Sequence, residues 1–236
     1  MDATPGRGQH AGMSFRPACR EALGVPALAM AATFLAFGAA VQAAGFGLGW
    51  AIAASLLVYG MPGQLVLLAA LGTPGGALPA VAGAVAANAR FVPMAVALAP
   101  WLGGGPRRFL ALPFIAVTPW AMAMRRLPAV PVERRLAWFL GFGLTSWTVA
   151  GLSTLVGHLV APLLDIWFLA ALLFVNPLYF GLILASDLGQ AFVRRAAILG
   201  VAAAPLAFVL PAAWALLGAG LVGGTLAFLW SRHVGR

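Results

Sequence analysis

From Ala22 to Ala89 the chain carries no charged side chain. A run that long has to cross a bilayer more than once, because one spanning helix needs only about 20 residues. Turn-forming clusters divide it: Gly45-Phe-Gly-Leu-Gly49 closes a first apolar stretch and Gly72-Thr-Pro-Gly-Gly76 a second, which predicts spans at 24–44 and 50–71. The next stretch, 78–102, contains Arg90, Pro93 and Pro100 and leads into Gly103-Gly-Gly-Pro-Arg-Arg108. Residues 109–124 are apolar but short, with Pro113 and Pro119 inside them, and a polar connection runs from Arg125 to Arg135. Uninterrupted stretches at 136–157, 163–186, 196–213 and 214–231 follow, the last two parted by Pro211. Runs of this length do not fit the ten-residue alternation of membrane barrels, so each is read as helix.

The predicted fold is all-α, a polytopic transmembrane helical bundle of about six to eight spans with Pro/Gly-broken or re-entrant segments. Residues 1–21 form a cytoplasmic N-terminal segment, 22–231 one transmembrane domain and 232–236 a cytoplasmic tail. Arginines support this layout. They come in pairs between the apolar stretches, at 107–108, 125–126, 134–135 and 194–195, as the positive-inside bias requires. With about eight crossings and the N-terminus in the cytoplasm, only Arg107 and Arg108 fall outside. If 78–102 and 109–124 are re-entrant instead, entering and leaving on the cytoplasmic side, those two fall inside as well. Both layouts stay open. Interrupted backbone is tolerated at membrane depth only where protein or a cavity surrounds it, and such segments point to a transporter's solute site. Here they are 59–64, 88–93 and 117–120.

Composition agrees: 63% of residues are hydrophobic and 8% charged, against about 25% charged in soluble domains. The 14 basic side chains are all arginine and outnumber 5 acidic ones. Spread in pairs without interleaved aromatics, they do not make the basic stripe of a nucleic-acid binder. One cysteine, Cys19, leaves no disulfide and no cysteine metal cluster. The stretch from Gly24 to Ala44 exceeds the roughly 7–15 apolar residues of a signal core, so it is read as an uncleaved first helix. Gly45-x-Gly-x-Gly49 is not a dinucleotide fingerprint, and no P-loop, HExxH or Ser/His/Asp arrangement is visible. No enzyme, metal or cofactor is expected.

Candidate chemistry therefore lies in the few polar residues inside the apolar stretches. An arginine near the centre of a spanning helix costs about 2.5–3.5 kcal/mol on the mildest scale, so Arg90 should face protein or a wet cavity. There its fork could take a carboxylate, or it could snorkel or bond carbonyls freed by Pro93. Asn88 and Gln64 carry amides that need partners, either a solute or a neighbouring helix. Thr118, just before Pro119, is a weaker candidate, as are Thr33, Gln42, Ser55, Thr145, Ser146, Thr148 and Ser153. Asp165, His158 and Asp187 read as solvated helix ends. Trp50, Trp138, Trp167 and Trp230 sit near span ends, as in an interfacial belt, and Gly220 with Gly224 forms a GxxxG.

The order of these motifs resembles the AzlC-type branched-chain amino acid export permeases. The resemblance rests on Thr33-Phe-Leu-Ala-Phe-Gly38, Gly49-Trp50, Tyr59-Gly-Met-Pro-Gly-Gln64, Ala87-Asn-Ala-Arg-Phe91 and Ala97-Leu-Ala-Pro-Trp-Leu102. It extends to the Arg-led, then Gly/Ala-rich, stretch from Arg194 to Gly224. It implies a bacterial cytoplasmic-membrane exporter of hydrophobic amino acids, proton-linked and working with a small AzlD-type membrane subunit. Gln64, Asn88 and Arg90 match the family's polar motif positions. The chain departs from the pattern in two places. Val117-Thr118-Pro119-Trp120 stands where the family carries an acidic element, and Phe91 where it carries histidine. The alternative reading is a non-transporting membrane scaffold or assembly subunit with the same fold.

Overall fold

A computed structural model describes residues 15–71, 77–210 and 212–234. The loop expected at 72–76, the break at Pro211 and most of the segment at 1–21 therefore lie outside the described residues, as does the end of the expected tail. All regular structure among the described residues is helical. The helices are α1 (Phe15–Ala22), α2 (Val25–Ala43), α3 (Leu48–Ala53, prolonged as a π-helix over Ala54–Val58), α4 (Met61–Leu71), α5 (Ala77–Asn88) and α6 (Phe91–Leu98). After a 3-10 segment at Pro106–Phe114 come α7 (Val117–Arg126), α8 (Val132–Val160), α9 (Ile166–Asp187), α10 (Ala191–Ala203), α11 (Leu206–Val209) and α12 (Ala212–Val234). Among the described residues, five stretches are long and apolar enough to cross a membrane: Val25–Ala43, Ala80–Leu102, Val132–Leu163, Ile166–Asp187 and Ala191–Val209. The protein is an all-α polytopic membrane bundle.

Helices α2 and α8 form its axis and run in the same direction, since Met30 packs near Ala150 and Leu35 near Gly157. They approach through glycine. A β-carbon on Gly157 would overlap the Leu35 carbonyl, and one on Gly38 the Thr154 carbonyl, so backbone touches backbone as small residues allow in lipid.

One end of the bundle gathers the arginines. There α1 lies against the start of α8, with the Cys19 Sγ donating to the Gly141 carbonyl at 3.4 Å. Arg126 pairs with Glu21 at 2.5 Å and Arg125 with Asp187 at 2.6 Å. Arg135 stacks on Trp101. The end of α6 and its 3-10 extension pack here too, Leu98 and Leu102 joining Trp138, Phe139 and Phe142 in the largest core cluster. Trp138 is therefore core, not part of an interfacial belt: it is 0% exposed and stacks on Phe142 at 5.3 Å. At the other end His158 Nε2 bonds the Phe46 carbonyl at 3.0 Å, which ties the α2–α3 loop to the end of α8.

Between these ends the chain does something the hydropathy pattern did not predict. The stretch 50–71, expected to cross once, is a helical hairpin. It enters from the α2–α3 loop as α3, and returns as α4 to the same end: Met61 and Leu68 pack on the cluster of Phe37, Val41, Ala51 and Ala54. The reversal falls at Tyr59, whose φ of 39° and ψ of 37° are left-handed, followed by Gly60. Helix α5 then runs inward from that end and α6 continues outward to the arginine end, so 78–102 crosses, with a break at Ala89–Arg90. Arg90 has helical dihedrals (φ −57°, ψ −21°), so this break offsets the helix without reversing it. The stretch 106–126 is a second hairpin, entered from the arginine end. Its first arm places Ala111 in the arginine-end core and its turn places Ala116 against Met30, Phe34 and Tyr59. Its second arm, α7, returns Ala123 to the arginine-end core. Thus 106–126 folds back to the arginine end, 78–102 runs from one end of the bundle to the other, and Arg107 and Arg108 lie at the arginine end. Two hairpins entering from opposite ends meet tip to tip.

Helices α9 to α12 sit outside this core. The apolar window of α9 has no buried residue. Helix α10 packs antiparallel to α12, where Gly223 takes the close approach to Leu199 and Gly200. A β-carbon added at Gly220 or Gly224, the expected GxxxG, would meet nothing within 4 Å.

Candidate functional site

The hairpin tips surround a cavity of about 320 Å³, at the lower end of the roughly 300–1,000 Å³ typical of small-molecule sites. The first hairpin contributes Tyr59, Gly60, Met61 and Pro62, and the second contributes Ala116, Val117 and Thr118. Arg90 and Phe91 come from the α5–α6 break; Met30, Thr33 and Phe34 come from mid-α2, and Phe180 from α9.

Three helices start at this cavity, and proline marks each start. Pro62 is the second residue of α4, Pro93 the third of α6 and Pro119 the third of α7. Proline suits a first turn, where its missing N–H would have had no intrahelical acceptor. Elsewhere in a first turn, free N–H groups and the helix dipole create a positive end. The three starts line the cavity through Met61, Phe91 and Val117; α4 follows a left-handed reversal and α7 an extended residue, so these two bring free positive ends, whereas α6 continues from α5.

A broken helix inside a membrane frees carbonyls that must find donors. The π-segment leading to the first tip shows where they go. The Ala54 carbonyl accepts from Gln64 Nε2 at 3.0 Å, the Leu56 carbonyl from Trp147 Nε1 at 3.0 Å, and the Val58 carbonyl from Asn88 Nδ2 at 3.5 Å. Ser55 and Thr154 share a buried hydroxyl–hydroxyl bond of 2.6 Å. Glycine makes room for Asn88: a β-carbon on Gly60 would lie 2.5 Å from Asn88 Oδ1, and one on Gly63 would overlap the amide itself.

The four sequence candidates thus separate. Arg90 and Thr118 line the cavity, whereas Gln64 and Asn88 do not. Gln64 is fully buried behind the tip, and Asn88 faces a separate apolar cavity beside Leu57, Leu67 and Val81. Thr33 lines the cavity but its hydroxyl donates to the Ala29 carbonyl at 2.8 Å. Arg90 is half-buried, with its guanidinium 5.4 Å from the centroid of Phe91 and its Nε buried without a partner. Tyr59 went unnoticed as a site residue. It is 4% exposed, lines the cavity, and its hydroxyl is buried without a partner. It is one of only two tyrosines in the chain and stands beside a Gly-x-Pro-Gly break, a signal available in the sequence. Phe180 and Trp147, supplied by distant helices, carried none.

Residues 26–164, which run from the first turn of α2 past the end of α8 and include both hairpins, match the family model described as AzlC protein. No curated protein and no solved structure matches the chain.

Proposed function

Since the chain belongs to the AzlC family of membrane transporters, we propose that it exports a small apolar solute bearing a carboxylate. The family resemblance points to branched-chain or other hydrophobic amino acids. The observation that carries this reading is the meeting of Arg90 and the starts of α4 and α7 at one cavity between hairpins from opposite ends. Half-helices whose N-termini face an anionic solute group near the midplane are a recurrent transporter device. A cavity lined by tips from both ends also suits alternating access, because rocking either hairpin would open one side only. Apolar walls from Met30, Phe34 and Phe180 would accept a branched side chain.

In this reading the arginine end lies in the cytoplasm of a bacterial inner membrane, by the positive-inside bias. About six helices cross, α12 among them, and two hairpins re-enter. Coupling is secondary and proton-linked, and the unburied face of α9 meets lipid or an AzlD-type subunit. Gln64 and Asn88 serve the solute indirectly, by holding the first tip. One observation favours the scaffold reading: no acidic residue lines the cavity, so an obvious proton carrier is missing there.

Efflux from cells loaded with hydrophobic dipeptides separates the two. Arg90→Ala should abolish efflux while membrane insertion is kept. Normal efflux by Arg90→Ala would remove the carboxylate role, and absence of efflux of both amino acids and branched monocarboxylates by the unaltered protein with its partner subunit would favour the scaffold.

A further inference from the structure

The cavity is built for one end of an amino acid only. Of the five acidic residues, Asp2 lies outside the described residues and each of the others is engaged or distant. Glu21 pairs with Arg126 and Asp187 with Arg125. Asp165 caps α9, accepting from the Ile166 N–H at 2.8 Å, and Glu133 is exposed in the first turn of α8. Among neutral groups, Gln64 Oε1 and Asn88 Oδ1 are buried acceptors without partners, but both side chains stand outside the cavity lining. The freed carbonyls of the first tip already accept from Gln64, Trp147 and Asn88. A cation needs an open ring face; Phe34 stacks on Tyr59 at 6.1 Å and Arg90 lies over Phe91, which leaves Phe180 among the lining rings.

What remains is positive. Arg90 contributes a full charge and the starts of α4 and α7 add partial ones, in an apolar setting where charge interactions are stronger than in water. The buried, unpartnered hydroxyl of Tyr59 supplies a donor on the same wall. A zwitterion would bring its ammonium into this field, whereas a monoanion would not.

We infer that the site selects a small branched monocarboxylate, the carboxylic or 2-oxo acid lacking the amino group, over the corresponding amino acid. This rests on the reading that the cavity holds the solute, and it names which solute the charges favour.

Titration calorimetry on the purified full chain in detergent tests it with three probes. They are leucine, 4-methylpentanoate (leucine with hydrogen in place of its ammonium) and 3-methylbutylamine (leucine with hydrogen in place of its carboxylate). The expected result is that 4-methylpentanoate binds at least about tenfold tighter than leucine and the amine does not bind. Arg90→Gln should weaken 4-methylpentanoate at least about tenfold, and Tyr59→Phe, which keeps the ring stack, about 2–10-fold. Leucine binding as tightly as 4-methylpentanoate, with the same dependence on Arg90, overturns the inference and leaves the solute site standing. Binding of none of the three, or binding indifferent to both substitutions, overturns the inference and the site together.

Discussion

Gly63→Ala should act through Asn88 alone, and its size can be worked from the geometry. The new methyl would occupy the space of the Asn88 amide. Overpacking of this kind costs about 1–3 kcal/mol. If Asn88 swings away to relieve it, the Val58 carbonyl loses its donor, and a buried unpaired polar group costs about 1–3 kcal/mol. Gly63→Ala therefore destabilises by about 1–3 kcal/mol by whichever route relieves it. Asn88→Ala leaves the carbonyl unpaired but opens the space, so the added methyl of Gly63→Ala/Asn88→Ala meets no amide. In a double-mutant cycle the second substitution should then add less than about 1 kcal/mol, a coupling of about 1–3 kcal/mol. Reversible unfolding in mixed micelles, followed by tryptophan fluorescence, measures all four proteins. Additive effects would mean that Asn88 does not fill the notch at Gly63, and the account of the first tip would fail.

Other consequences are smaller in scope. Trp147→Phe keeps a ring where Trp147 meets Phe114 edge-on but removes the donor to the Leu56 carbonyl, so stability should fall by about 1–3 kcal/mol in the same assay; no change would show that carbonyl to be served otherwise. Glu21→Gln breaks the pair with Arg126, half of whose side chain is exposed, and should cost at most about 1 kcal/mol, diminishing with salt. Efflux through Arg90→Ala, given above, is the functional counterpart.

The apolar runs made the membrane fold legible, and the breaks at 59–64, 88–93 and 117–120 located the cavity wall. What those breaks do was not legible. Pro62 and Pro93 look alike in sequence, yet the chain reverses before one and continues past the other. The difference lies in Tyr59, held left-handed after a π-segment, against Arg90 with helical dihedrals. No local signal distinguishes them, because the direction of α4 is fixed by Leu68 packing on a cluster that includes Phe37 and Val41 of α2, about 30 positions away. The polar residues divide for a similar reason. Arg90 is intelligible alone, since a charge in lipid needs a cavity or a partner. Gln64 and Asn88 carry the same sequence signal whether they face a solute or a carbonyl. Only the path of the π-segment decides that they serve Ala54 and Val58.

The opposed hairpins carry every functional statement made about the cavity, and sidedness probes them directly. Single cysteines at Gly45, Ala77, Gly104 and Ala129, in a Cys19→Ser background, are labelled with an impermeant thiol reagent in oriented vesicles. Cysteines at 45 and 77 should react from one side, and those at 104 and 129 from the other. Labelling of 45 and 77 from opposite sides would make 50–71 a simple crossing and contradict the account.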